Sequence, residues 1–406
     1  MSIAPTLEDI KGDLKAVIRA NSDRGFVPYG GCDRICNWMM HTLDESQSAE
    51  DRGLTLDIHL FILVEIIKLI SHADTSSGSV TDTVNECLRG VEALCQAASN
   101  TQRKPMFEAI IKTGKNKAFD GWEESAYRLL RSVVHLVDDQ KQARKVYDLF
   151  TKLGPMYDDT EYPDRYVITL GMIERLEGAE AAKIYLTEHL HIKEIRMIAV
   201  ERALDSKRYE LAENLCLEAL NKDKSYGRAA DWAYYLERIY GEQSDRVKQI
   251  EIVRLIVKRG DKTYYRKLKE LYQSEGTWEQ RREPLLEELS KAYMTNEYAV
   301  LLEWENEWTR LLHVIETEPM YIAYFGKSLA THFPEETYRI YEKQIESEAA
   351  AATDRRKYKG VCKLIKEYAA VGANAEVKRL VKRLIDEYPR RPAMIDELTA
   401  LERRLK

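Results

Sequence analysis

The stretch KRYELAENLCLEAL, residues 207–220, places Leu211, Ala212, Leu215, Cys216, Ala219 and Leu220 at i, i+1, i+4, i+5, i+8 and i+9. That spacing lays one apolar stripe along an α-helix. The pattern recurs. EGAEAAKIYLTEHL (177–190) puts Ala181, Ala182, Tyr185, Leu186 and Leu190 in the same places, and QKQARKVYDLFTKL (140–153) does so with Ala143, Val146, Tyr147, Phe150 and Leu153. FPEETYRIYEKQI (333–345) and NAEVKRLVKRLIDEY (374–388) repeat it with larger residues. A small residue near the start of such a helix lets a neighbour pack close, and one helix pair cannot bury its own stripe whereas stacked pairs can. The steps from Ala143 to Ala182 to Ala212, with Val247 as the next small position, are irregular. Degenerate helix pairs are therefore expected.

Partner helices lie between these stripes. They are read over 159–178, which starts after Asp and Pro signals and stops at Gly178, and over 192–207, 226–241, 244–260 and 261–276. Apolar/polar alternation never persists, so no strand is expected. The chain of 406 residues has 19 Gly and 10 Pro, which suits helices joined by short turns. The fold expected is all-α: an N-terminal helical bundle over 1–155 followed by an irregular TPR-like helix-pair solenoid over 156–406. LGPMYDDTEYP (153–163) marks the boundary. The most apolar run, 54–73, is interrupted by Asp57, His59, Glu65 and Lys68 and reads as a buried helix, not a membrane span. No apolar segment of a secretory signal opens the sequence, and six cysteines form no disulfide framework, so a cytoplasmic location is expected.

Candidate chemistry is sparse. Cys32, Cys36 and His41 form C-x3-C-x4-H with no fourth ligand in view, and the two thiols one helical turn apart equally describe core cysteines. Cys87 and Cys95 also read as core. His189 and His191 would diverge on a helix, and Arg128 and His135 have a loose R-x6-H spacing found in some helical ribonucleases but fit an ordinary amphipathic helix. Glu123/Glu124 and Glu287/Glu288 lie in charged helix surfaces that would not shift a pKa for acid–base work. Phosphate-binding, dinucleotide and nucleophile-elbow motifs are absent. No catalytic residue, cofactor or metal is assigned.

Charge is uneven. Residues 1–100 hold fifteen acidic and eight basic residues, while 351–406 hold fifteen basic and eight acidic. Lys378, Arg379, Lys382, Arg383, Arg390 and Arg391 form a dense basic group, a candidate contact for an acidic partner or for phosphates. The 24 tyrosines suit inter-helix packing or a partner surface.

RGFVPYGGC (24–32) followed by SHADTSSGSVTDTV (71–84), then 184–220 and the ending DRRKYKGVCKLIKEY…EYPRRPAMIDEL (354–398), resemble the helical region that follows the zinc finger in bacterial SWIM zinc-finger proteins. The family's Cys-x-Cys and Cys-x-His ligands occur nowhere in this chain. The resemblance implies a partner-binding array without the finger, in a family often associated with SNF2-type helicases. The function expected is a non-enzymatic protein–protein interaction scaffold. The alternative is a nucleic-acid-associated accessory factor of a DNA-remodelling helicase using the basic C-terminal face.

Overall fold

The computed structural model describes residues 6–47, 51–222 and 231–404, and all regular structure among them is helical apart from two isolated bridges, Asp23 with Phe26 and Val27 with Ala73. The chain divides into two compact units, Met1–Leu215 and Cys216–Lys406. The first holds α1 (Leu7–Ala20), α2 (Tyr29–Gln47), α3 (Arg52–Ile70), α4 (Ser79–Gln96), α5 (Asn100–Gly114), α6 (Glu123–Arg131), α7 (Gln140–Leu153), α8 (Pro163–Glu177), α9 (Ala179–Glu188) and α10 (Lys193–Asp205). The division falls inside α11 (Tyr209–Lys222). The second unit continues with α12 (Asp231–Glu242), α13 (Arg246–Lys258), α14 (Tyr265–Ser274), α15 (Trp278–Ala292), α16 (Thr295–Trp304) and α17 (Trp308–Thr317). It ends with α18 (Ile322–His332), α19 (Pro334–Ala351), α20 (Arg355–Ala370), α21 (Asn374–Glu387) and α22 (Pro392–Glu402). The first residues of the helix read over 226–241 lie outside the described residues.

Within each unit the main helix contacts join elements one or two places apart in order, such as α8 with α9 and α10, or α19 with α20 and α21. That nearest-neighbour pattern is how stacked helix pairs bury stripes that no single pair can bury. The small residues behave as their spacing implies: Ala143, Ala182 and Ala212 are all buried. Arg196 on α10 donates from Nη1 to the Leu215 carbonyl at 2.9 Å and so ties α10 to α11. Three positions depart from the stripes. Leu211 and Tyr147 lie at stripe edges and remain 40% and 37% exposed. Val247 is 64% exposed because it sits in the first turn of α13, ahead of the buried face formed by Ile250, Val253, Ile256 and Val257.

α3 is the bundle's central helix. Its buried residues run from Thr55 to Leu69 on all sides, and α2, α4 and α5 pack on it. One core then runs from Ile10 through Val146 and Phe150 on α7 to Ile168 and Met172 on α8. Arg175 on α8 reaches back to the Val137 carbonyl at 2.5 Å and to Asp138 at 2.9 Å. The sequence boundary at 155/156 thus lies within the first compact unit. Gly178 alone separates α8 from α9, at φ +91°, a left-handed conformation that favours glycine.

A second set of ties has the period of the helix pairs. Lys145–Glu108, Arg175–Asp138, Arg254–Glu288 and Lys269–Glu305 join residues 34 to 37 apart. Tyrosines do the same. Tyr293 donates to the Val257 carbonyl at 2.6 Å and Tyr338 to the Val371 carbonyl at 3.3 Å, over 36 and 33 residues. Each ring fills a gap between successive pairs while its hydroxyl finds a backbone acceptor, which accounts for several of the chain's tyrosines.

Candidate partner-binding surfaces

The cysteine–histidine group does not converge. Cys32 and Cys36 are buried on the inner face of α2, and burial pushes the Cys32 thiol up to about 12. His41 points outward on the same helix and faces Glu45 at 3.3 Å. Cys87 and Cys95 lie in the core of α4. Among the described residues no three His, Cys, Asp or Glu side chains cluster as metal ligands would, and no helix is long and apolar enough to cross a membrane.

His189 and His191 do not diverge along a helix as their spacing suggested. α9 ends at Glu188, and both rings fold against Tyr166, with their centroids 5.9 Å apart. His189 also stacks on Tyr185 at 4.0 Å, and its Nδ1 lies 2.8 Å from the Tyr185 carbonyl. Arg128 and His135 do not share a regular helix either. The chain tightens into a 3-10 turn at Ser132–His135. Arg128 reaches Asn85 at 2.7 Å, and His135 Nε2 lies 2.6 Å from Glu92 Oε1. Asn85 and Glu92 are two turns apart on α4, so the pair fastens α6 and its extension to α4. Glu287 pairs with Lys291 at 2.8 Å. At Glu288 burial opposes the charged form, but hydrogen bonds from Lys258 and Arg254 outweigh it and hold the carboxyl below its ordinary range. A carboxylate kept charged this way does not suit proton transfer at neutral pH.

The six basic residues at the C-terminal end have different environments. Arg391 is half-buried. It donates to the carbonyls of Ala349, Ala350 and Ala352 at 2.7, 3.2 and 3.0 Å, closing the C-terminus of α19, and its guanidinium sits 4.4 Å from the Tyr388 ring. Arg383 bridges Glu342 and Glu346 on α19, and Arg379 pairs with Glu376 at 3.0 Å. Lys378, Lys382 and Arg390 are exposed.

Two clefts have the form of partner sites. In the first unit, α4, the 3-10 turn, α8 and α10 line a cleft of about 260 Å³. Val134, Val167 and Ile198 are half-buried on its floor. Its polar side chains all have partners: His135 faces Glu92, Arg131 pairs with Asp164, and Arg202 pairs with Glu174 at 2.7 Å. Gly171 lets α8 approach the turn, since a Cβ there would lie 2.6 Å from Val134 Cγ1. In the second unit, α15, α16 and α17 line a larger cleft of about 480 Å³, mostly apolar, with Tyr293, Tyr298 and Val314 among its lining. Sequence reasoning singled out none of the floor residues. They sit at stripe edges, where spacing alone does not separate core from cleft.

No family model and no curated protein matches the chain. Two solved structures are similar over nearly their whole length. The crystal structure of the P58(IPK) TPR domain is 13% identical, with 98% of this chain and 97% of that one covered and a TM-score of 0.22. A circular tandem repeat protein with a novel repeat topology is 14% identical, with coverages of 97% and 94% and a TM-score of 0.18.

Proposed function

We propose that this chain is a non-catalytic scaffold whose helix pairs hold another protein. The observation that supports this most directly is the cleft across α4, α8 and α10. Its polar side chains each have a partner, for Arg131 and Arg202 a carboxylate outside the lining, and they leave an apolar floor at the surface, which suits burial of a partner's apolar side chains more than proton transfer. The resemblance to SWIM zinc-finger proteins adds an SNF2-type helicase as a candidate partner, to be tested directly.

The test is affinity capture with the wild-type chain and with Val167→Asp/Ile198→Asp, both checked for an unchanged fold by circular dichroism. Both positions are half-buried on the cleft floor, where a buried charge is costly in a complex. A partner retained by the wild type and lost by the variant supports the proposal. Equal retention by both would move the contact elsewhere. Tight nucleic-acid binding with steep salt dependence would favour the accessory-factor alternative, because each neutralised phosphate releases counterions.

A further inference from the structure

α20 carries a basic surface distinct from the six residues considered above. Its buried stripe is Tyr358, Val361, Cys362, Ile365 and Tyr368. On the opposite side, Arg356, Lys359, Lys363 and Lys366 are all exposed. They fall at i, i+3, i+7 and i+10, so they follow one line along about 15 Å of helix. Lys363 has a distant carboxylate, Glu367 at 3.9 Å. Arg356, Lys359 and Lys366 have no ion-pair partner among the described residues. The nearby Glu397 is taken by Arg355 at 2.8 Å, and Lys359 and Arg404 add to the positive field around it.

On the neighbouring α21, Arg379 and Arg383 are matched by Glu376, Glu342 and Glu346, and two cations, Lys378 and Lys382, stay exposed without an ion pair among the described residues, against four in line on α20. Like charges three and four residues apart repel, so the α20 line works against the helix that bears it. Solvation alone would be served as well by mixed signs. We infer that this line is a docking surface for an acidic polypeptide segment of the partner protein, an inference that rests on the scaffold reading above. A polypeptide fits better than nucleic acid on three counts. The tyrosines of α20 are buried and offer no ring for base stacking. Four cations are fewer than the roughly 6–10 phosphate contacts of a strong duplex binder. The net charge of −6 repels a long polyanion.

The test is fluorescence anisotropy with a labelled Glu/Asp-rich peptide of about ten residues, long enough to follow the line as a helix. Single-stranded and duplex DNA of matched label are the parallel probes. Proteins are the full chain, Arg356→Gln/Lys359→Gln/Lys363→Gln/Lys366→Gln, the charge-keeping Lys359→Arg/Lys363→Arg/Lys366→Arg, and Lys378→Gln/Lys382→Gln/Arg390→Gln as control. The expected result is peptide binding at low salt that weakens toward about 0.15 M. The α20 neutralised variant should lose about tenfold or more in affinity, with the other two near wild type. No peptide binding by the wild type at low salt, or an undiminished affinity in the neutralised variant, overturns the inference. Tighter binding of either DNA through the same four residues also overturns it and makes the line a phosphate site. The Val167→Asp/Ile198→Asp chain should bind the peptide normally, so failure of this inference and failure of the cleft assignment are told apart.

Discussion

His59 should make the stability of this chain fall in mild acid. The residue sits near the centre of α3, fully buried, and neither ring nitrogen makes a hydrogen bond of good geometry, the Cys87 backbone being the nearest approach to one. Gly90 on α4 packs on the ring so closely that a Cβ there would lie 2.0 Å from Cε1. Burial lowers the His59 pKa from its ordinary 6.5, against the weaker pull of the Cys87 backbone and Glu86. A histidine whose folded pKa is depressed binds its proton more readily in the unfolded chain. Its contribution is therefore constant above about pH 6.5 and turns destabilising as pH falls below that value toward the folded pKa. The loss at pH 5 relative to pH 8 has an upper limit set by the unfolded pKa alone, about 2 kcal/mol. His59→Leu removes the titrating group and two unsatisfied nitrogens at similar volume. It should match or exceed wild-type stability at pH 8, because an unpaired buried polar group costs about 1–3 kcal/mol. The assay is urea unfolding of both chains at pH 8 and pH 5, read by far-UV circular dichroism. The seven other histidines and all carboxylates are common to both chains and cancel in the difference. An equal pH-dependence in wild type and His59→Leu would refute the assignment of a neutral, unpartnered ring.

Ala212→Leu should overpack the α11 stripe against its neighbours and lower stability by about 1–3 kcal/mol, seen as a fall in melting temperature. Gly171→Ala should cost a similar amount through its clash with Val134, and Val134→Ala in the same chain should recover part of it in a double-mutant cycle. Glu305→Ala should cost about 3 kcal/mol in chemical unfolding, because it strands Lys269 beside a buried site and takes from Arg282 one of its two carboxylates, the other being Glu307. Arg379→Ala, which removes only an exposed pair, should stay within about 0.5 kcal/mol.

Much of the helical layout was legible because apolar spacing reports directly on burial. α7 and α21 begin and end within a residue of their stripes, and the single-residue turn at Gly178 is written in the sequence. Edge positions were not legible. Leu211 and Val247 have the residue type of a core and the exposure of a surface, because their burial depends on how far the neighbouring pair reaches. Local tightening was hidden as well. Nothing in RLLRSVVH announces that α6 gives way to a 3-10 turn at Ser132, and that turn decides where His135 points.

The basic residues illustrate the remaining gap between sequence and surface. Residues 378–391 hold six cations, yet Arg391 caps α19, Arg383 is bound to two glutamates of α19 and Arg379 to one on its own helix, which leaves Lys378, Lys382 and Arg390 exposed. The four cations of the α20 line are interrupted in sequence by Tyr358, Gly360, Val361 and Cys362. Folding turns the tyrosine, valine and cysteine inward and leaves the charges in one line. A cation available to a partner is one whose neighbours across the helix interface bring no carboxylate. Such neighbours lie about one helix pair away, as in Lys145–Glu108 or Arg383–Glu346 at 37 residues. Charge density in a short window therefore does not say which cations are available in a chain of stacked pairs. The better measure is the charge one repeat away.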